Sequence, residues 1–200
     1  MAKILGSGND TYFDGDGFLG LFKDAEVYGN AGNDTIYGNN GDDTLHGGSG
    51  NDKLFGGNDR DRLYGDSGND SLSGGACNDY LNGGTGSDTL KGGMGNDTIY
   101  GGDGNDIVSG GSGIDKMYGG AGTDRFTFTD GEGRGDRVMD YNDADDYFDL
   151  RGTSANSMSD VRIINTVVDG HVAAFVDYGT GSFYVMDVTA NELNSGDFIF

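Results

Sequence analysis

The chain has 200 residues, room for one compact domain or one capped solenoid, but its 41 Gly, absence of Pro and 34 % hydrophobic content leave little for an ordinary globular core. Acidic residues outnumber basic ones 34 to 12, and all but Glu26, Glu132 and Glu192 are Asp, whose short carboxylate suits tight turns and hard cations. A formal charge of −22 argues against nucleic acid or an anionic membrane as partner, and the single cysteine, Cys77, excludes an internal disulfide framework.

Residues 1–28 read as an N-terminal cap. The start, Met1-Ala2-Lys3-Ile4-Leu5-Gly6-Ser7-Gly8, lacks the apolar stretch of a secretory signal, and no apolar run reaches membrane-spanning length. Asp14-Gly15-Asp16 begins like an EF-hand loop, but the loop's fifth position would be Phe18 and its obligatory Gly would be Leu19, so that reading fails. The spacing Gly15-x-Gly17-x-x-Gly20 fits a dinucleotide fingerprint, yet no helix pattern follows and one residue in five is Gly.

From Gly29 to Thr127 the sequence divides into eleven nonapeptides without an insertion. Position 1 is always Gly and position 6 always Asp. Position 8 is always apolar, running Ile36, Leu45, Leu54, Leu63, Leu72, Leu81, Leu90, Ile99, Val108, Met117, Phe126. Each unit reads as a six-residue Gly-rich turn followed by a three-residue strand with one inward side chain. So short a strand buries nothing alone, so units must stack two per coil, with repeats n and n+2 in register about 4.8 Å apart. The fold class is therefore all-β, a right-handed parallel β-roll with an N-terminal cap, an array over residues 29–127 and a C-terminal β cap over 128–200.

The unit Gly92-Gly93-Met94-Gly95-Asn96-Asp97-Thr98-Ile99-Tyr100 closely resembles the RTX (repeats-in-toxin) calcium-binding nonapeptide family. In that register residues 5–13 and 20–28 are degenerate units. Stacking lines up the position 6 carboxylates along two edges: Asp34, Asp52, Asp70, Asp88, Asp106 and Asp124 on one, Asp43, Asp61, Asp79, Asp97 and Asp115 on the other. Two carboxylates about 5 Å apart repel by about 3 kcal/mol at an effective dielectric of 20, and a divalent cation between them reverses the sign. The resemblance implies that calcium is held by these aspartates with turn carbonyls at Asn30, Gly32, Gly48, Gly50, Gly84, Gly86, Gly93, Gly95, Gly102, Gly104, Gly111, Gly113, Gly120 and Gly122. Glycine at positions 1, 2 and 4 is expected to supply positive φ and close approach. Six loops on one edge and five on the other give about nine inter-turn sites.

Downstream, strands are expected over 125–129, 137–141, 161–167, 171–178 and 182–188. Residues 136–141 followed by 146–150 resemble the closing segment of such arrays, and their acidic cluster fits either one more calcium or a solvated turn. The ending Asp197-Phe198-Ile199-Phe200 is similar to that of type I secretion substrates, which implies an extracellular protein exported by type I machinery without an N-terminal signal; a terminal strand packed into the cap is the other reading, and the two are compatible. No His-Glu-x-x-His, Gly-x-Ser-x-Gly or phosphate loop is present, His46 and His171 are the only histidines, and no catalytic activity of its own is expected. Arg134-Gly135-Asp136 spells an adhesion tripeptide, which a Gly/Asp-rich chain produces by chance. The outward positions 7 and 9 of the even repeats place Arg62, Tyr64, Tyr80, Tyr100, Lys116 and Tyr118 on one strip. Such a strip fits either a surface against which the cap docks or a polysaccharide-binding face like that of the repeat modules of alginate epimerases.

Overall fold

A computed structural model describes residues 3–8, 10–13, 24–129, 131, 134–142 and 144–200. The EF-hand-like and dinucleotide-like segments lie outside the described residues. In chain order the strands are β1 (Lys3–Ile4), β2 (Thr11–Phe13), β3 (Glu26–Tyr28), β4 (Thr35–Asn40), β5 (Thr44–Ser49), β6 (Lys53–Asn58), β7 (Arg62–Ser67), β8 (Ser71–Ala76), β9 (Tyr80–Thr85), β10 (Thr89–Met94), β11 (Thr98–Asp103), β12 (Ile107–Ser112), β13 (Lys116–Ala121), β14 (Arg125–Thr129), β15 (Asp136–Val138), β16 (Tyr147–Gly152), β17 (Arg162–Val168), β18 (His171–Asp177), β19 (Ser182–Met186) and β20 (Phe198–Ile199). Among the described residues the only helices are two three-residue 3-10 turns, Met158–Asp160 and Ser195–Asp197.

Strands alternate between two parallel sheets. One runs β1-β3-β5-β7-β9-β11-β13-β15-β19-β18-β17 and the other β2-β4-β6-β8-β10-β12-β14-β16-β20. Register follows the 18-residue coil: Leu54 pairs with Leu72, Leu72 with Leu90, and Leu63 with Leu81. The fold is the all-β parallel solenoid expected from the nonapeptides. Every position 8 side chain from Ile36 to Phe126 is 1 % exposed or less, so two facing columns of single side chains form the core.

The strands are longer than expected. Each array strand from β4 to β13 has six residues, positions 7–9 plus positions 1–3 of the next unit, which leaves only positions 4–6 as the bend. A Gly-Gly-x run carries no side-chain alternation to announce a strand, although its backbone pairs normally, as in Gly75 with Gly93.

The C-terminal segment continues both sheets instead of folding apart from them. Val138 stacks on Met117 and Val185 on Val138, while Phe148 stacks on Phe126 and Phe198 on Phe148. Aromatic rings widen the core at this end, with Phe128 and Phe183 stacked at 4.1 Å and Phe148 packed 5.4 Å from Phe198. Strand β16 is an addition to the expected set, and β20 is the terminal strand packed into the cap that Asp197–Phe200 allowed. Antiparallel strands β17 and β18, joined through Asp169 (φ 51°) and Gly170 (φ 88°), complete the sheet edge. Asp136 is 1 % exposed, so its carboxylate is not displayed as an adhesion tripeptide requires.

Candidate metal centre

The bend at positions 4–6 turns each position 6 carboxylate inward between successive coils. All eleven of these aspartates are 4 % exposed or less. Oδ1 of each accepts the backbone N–H of the ladder residue one coil earlier. Asp52 Oδ1 takes the Asp34 N–H at 2.6 Å, Asp79 Oδ1 the Asp61 N–H at 2.8 Å and Asp106 Oδ1 the Asp88 N–H at 2.8 Å. The other oxygen is different. Oδ2 of Asp34, Asp52, Asp61, Asp70, Asp79, Asp88, Asp97, Asp106 and Asp124 is buried without a hydrogen-bond partner. A buried carboxylate with one oxygen unmatched is costly unless a cation meets it.

The carboxyl pKa values record that cost. Burial, opposed by the backbone N–H from the preceding coil and reinforced by neighbouring carboxylates, pushes Asp61 up to about 8. Asp70, Asp79, Asp97 and Asp106 rise to about 7 and Asp124 to about 6, with burial again the first cause. Asp52 and Asp88 are raised for the same reason.

Glycine serves two separate purposes here. At position 1 it does not have positive φ, contrary to the expectation from sequence; its role is to leave space. A Cβ on Gly47 would overlap the Asp52 Oδ2 of its own unit and approach the Gly65 carbonyl of the next coil. At positions 2 and 4 the φ is positive, as at Gly48 (104°) and Gly50 (131°), and the carbonyls of Asn30 and Gly32 stand where their Cβ atoms would be. The expected turn residues Asn30, Gly32, Gly84, Gly86, Gly93, Gly95, Gly102, Gly104, Gly111, Gly113, Gly120 and Gly122 all share this left-handed conformation along the two edges. Gly41, Gly57, Gly68 and Gly75 do too, and belong to the same set. Position 4 departs from Gly at Asp59 and Cys77, which nevertheless hold φ of 73° and 74°.

Among the described residues no group of three or more His, Cys, Asp or Glu side chains is placed to hold a metal. Two carboxylates from successive coils, supplemented by backbone carbonyls, are what the edges offer. That all-oxygen donor set fits calcium, which takes six to eight oxygens in flexible geometry, and does not fit a transition metal that needs nitrogen or sulfur.

One feature escaped sequence reasoning. Position 5 forms its own ladder on the outside of each edge, in which Asn33 Oδ1 accepts the Asn51 N–H at 2.7 Å and Asn51 Oδ1 the Asn69 N–H at 2.9 Å. Asn at position 5 in most units was the available signal. On the second edge Arg60, which has no side-chain acceptor, interrupts this ladder and pairs back to Asp42 at 2.8 Å. The outward strip expected on the even repeats is a continuous ring ladder, lengthened by Tyr28 and His46: Tyr28–His46 at 4.7 Å, His46–Tyr64 at 4.6 Å, Tyr64–Tyr80 at 5.7 Å, Tyr80–Tyr100 at 5.6 Å and Tyr100–Tyr118 at 4.4 Å. Among the described residues the C-terminal cap extends this sheet end-on, and Tyr64, Tyr80, Tyr100 and Tyr118 stay partly exposed.

None of the curated proteins matches the chain. Among solved structures it is similar to the AlgE6R3 subunit of the mannuronan C5-epimerase from Azotobacter vinelandii, with 26 % identity, 64 % of this chain and 80 % of that one covered, and a TM-score of 0.51. It also aligns with the extracellular lipase LipA from Serratia marcescens at 16 % identity, covering 95 % of this chain and 42 % of that one, with a TM-score of 0.43. The profile of the RTX calcium-binding nonapeptide repeat (4 copies) matches residues 24–54, 55–90, 83–117, 91–126 and 101–134. These matches take in more than half of the sequence and every ladder aspartate of the array, and the chain belongs to the RTX calcium-binding nonapeptide repeat family.

Proposed function

We propose that this chain is a calcium-responsive scaffold, non-catalytic in itself, in which Asp34 to Asp124 at position 6 and the position 2 and 4 carbonyls are the calcium ligands. The observation that carries this reading is the row of buried, unpartnered Oδ2 atoms along both edges. About nine ions, one per gap, would bring the formal charge from −22 to near neutrality and remove the repulsion that opposes stacking. The array at 29–127 is the calcium-dependent unit, and 1–28 and 128–200 cap its two open ends. A chain with so thin a core and so much glycine cannot offset its ordering entropy unaided, so metal binding and folding are one event. Such a protein stays unfolded where calcium is scarce and folds in calcium-rich medium, which suits export through type I machinery in an unfolded state and a final location outside the cell.

Circular dichroism during a calcium titration tests the proposal. The chelated chain is expected to lack strand signal and to gain it near millimolar calcium, with magnesium ineffective. A chelated chain already rich in strand would sink it.

The continuous ring ladder supports a second activity, calcium-dependent binding of a polysaccharide. Tyr faces suit sugar rings, and Arg62 and Lys116 on the same face suit uronate carboxylates. The similar Azotobacter structure comes from an enzyme acting on mannuronan, a polyuronate. Affinity electrophoresis in a polyuronate gel is expected to retard the calcium-loaded chain and not its Tyr100→Ala/Tyr118→Ala variant; equal mobility of the two would remove this reading.

A further inference from the structure

The two sheets end in four strands, and three of these ends are short: β1 has two residues, β2 three and β20 two. The fourth, β17, has seven, Arg162–Val168, and among the described residues it pairs only with β18. Soluble proteins blunt open sheet edges with short strands, Pro, bulges or lysines. Strand β17 has none of these. It carries Ile163, Ile164, Thr166, Val167 and Val168, all good strand formers, and its register with β18 runs without a break.

Which main-chain groups face the open edge follows from the hairpin. Its two-residue turn, Asp169 and Gly170, makes Val168 and His171 a pair that exchanges both backbone hydrogen bonds. Alternation then turns the N–H and C=O of Ile164, Thr166 and Val168 toward β18, and those of Ile163, Asn165 and Val167 outward. One strand further in the phase agrees: Val172, next to His171, turns away from β17 and accepts the Asp187 N–H at 2.8 Å. The Asn165 side chain is engaged with the Ala190 N–H at 2.6 Å, which holds it off the edge. Apolar side chains stand on both faces beside the open backbone. Val167 and its neighbour Val172 are 66 % and 48 % exposed on one face, and Ile164 is 39 % exposed on the other.

We propose that β17 is a self-association edge, which pairs antiparallel with β17 of a second copy about a two-fold axis at Asn165. The register is self-complementary: Asn165 meets Asn165, Ile163 meets Val167, and about six backbone hydrogen bonds form from groups that already point outward. Charge favours the same contact. A chain of formal charge −22 approaches its own copy most easily where acid is lacking, and Arg162 is the single charged residue of β17. In this register Arg162 lies opposite Val168 of the second copy, one residue from its Asp169, whose side chain is 69 % exposed beside Arg137. The pairing joins two 11-stranded sheets edge to edge and uses neither the aspartate edges nor the ring ladder.

Sedimentation equilibrium of the full chain in saturating calcium and about 0.15 M salt is the test. The weight-average mass is expected to rise from 20.9 kDa toward twice that value between about 1 μM and about 500 μM protein, the weak range of a small interface. Val167→Pro removes an outward N–H that no ladder bond uses, and Val167→Lys places a charge at the contact without touching the backbone; both are expected to stay at 20.9 kDa throughout. Val172→Lys changes the exposed apolar face but not the edge, and is expected to associate like the parent. Amide exchange followed by NMR reads the phase: Ile163, Asn165 and Val167 slow by about tenfold on association, while Ile164, Thr166 and Val168 stay unchanged. A parent that is monomeric at every concentration overturns the proposal, as does association that survives Val167→Lys. A loss in Val172→Lys as large as in Val167→Lys would assign the contact to the apolar face, and this too overturns it. Should Val167→Pro disturb the hairpin, seen as lost protection at Thr166 and Val168, Val167→Lys alone decides.

Discussion

Asp79→Asn separates the charge of a ladder aspartate from its hydrogen bond. Asp79 Oδ1 accepts the Asp61 N–H at 2.8 Å, and an Asn Oδ1 retains that bond. The carboxylate itself faces two gaps, one toward Asp61 and one toward Asp97, so the substitution removes a charged ligand from two sites at once. At calcium tenfold above the site dissociation constant, each site contributes about 1.4 kcal/mol, and losing two costs about 3 kcal/mol. Without calcium the sign reverses. Burial pushes the Asp79 carboxyl up to about 7 from 3.8. Three pKa units correspond to about 4 kcal/mol against the ionised form, which water screening at the edge reduces to about 2 kcal/mol. The variant is therefore destabilised in calcium and stabilised in chelator. Urea melts in calcium, and titration of the chelated chain with a folding osmolyte, read the two arms. A variant weakened equally in both conditions would mean that Asp79 acts through shape and hydrogen bonding alone, and the electrostatic argument would fail.

Three further outcomes follow from the same edges. Because Asp61, Asp70, Asp79, Asp97, Asp106 and Asp124 titrate at about 6 to 8 when folded and near 3.8 when unfolded, the calcium-free fold binds more protons than the unfolded chain across that window. Its stability is fully present below pH 4 and falls as pH rises to 8, so less osmolyte should fold the chelated chain at pH 5 than at pH 8; a flat or opposite trend counts against the buried-carboxylate account. Cys77→Gly relieves about 1–2 kcal/mol of left-handed strain at φ 74° and gives back about 0.4–1 kcal/mol through a more flexible unfolded chain. Divided over about nine ions the net gain lowers the calcium midpoint by only about a fifth, so it is better read as a rise in thermal midpoint at fixed calcium, and a fall would show the position indifferent to glycine. Leu81→Ala opens a cavity at a site 0 % exposed, costs about 2–5 kcal/mol, and should lower the urea midpoint in saturating calcium without changing the number of ions bound; loss of ions would show that core and edges are not separable.

Position 8 and position 6 could be read from the sequence because each is occupied by one residue class at a strict period, and a parallel coil converts that period into a column. Positions 1–3 could not, since Gly-Gly-x has no alternating side chains, and their strand character rests on backbone pairing alone. The reason for glycine at position 1 was likewise hidden: clearance around Asp Oδ2 is a three-dimensional fact, whereas positive φ at positions 2 and 4 is a local one that Asn30, Asn39 and Asp66 also adopt at 72°, 72° and 69°. Asp136 and Asp146, which accept the Asp115 and Asp124 N–H groups, escaped the ladder because their offsets of 21 and 22 break the period that identified the others. Strand β16 begins Tyr147-Phe148-Asp149-Leu150, and the buried Asp149, paired to Arg151 at 2.6 Å, spoils an otherwise legible apolar alternation.

The central claim is that the buried Oδ2 atoms face calcium, and anomalous scattering from crystals grown in calcium measures this directly. The account predicts calcium peaks between successive position 6 carboxylates along both edges of the roll, each within about 2.3–2.6 Å of oxygens from two coils. Peaks confined to outward acids such as Asp42, Asp103 and Asp145, with none between the stacked carboxylates, would contradict it.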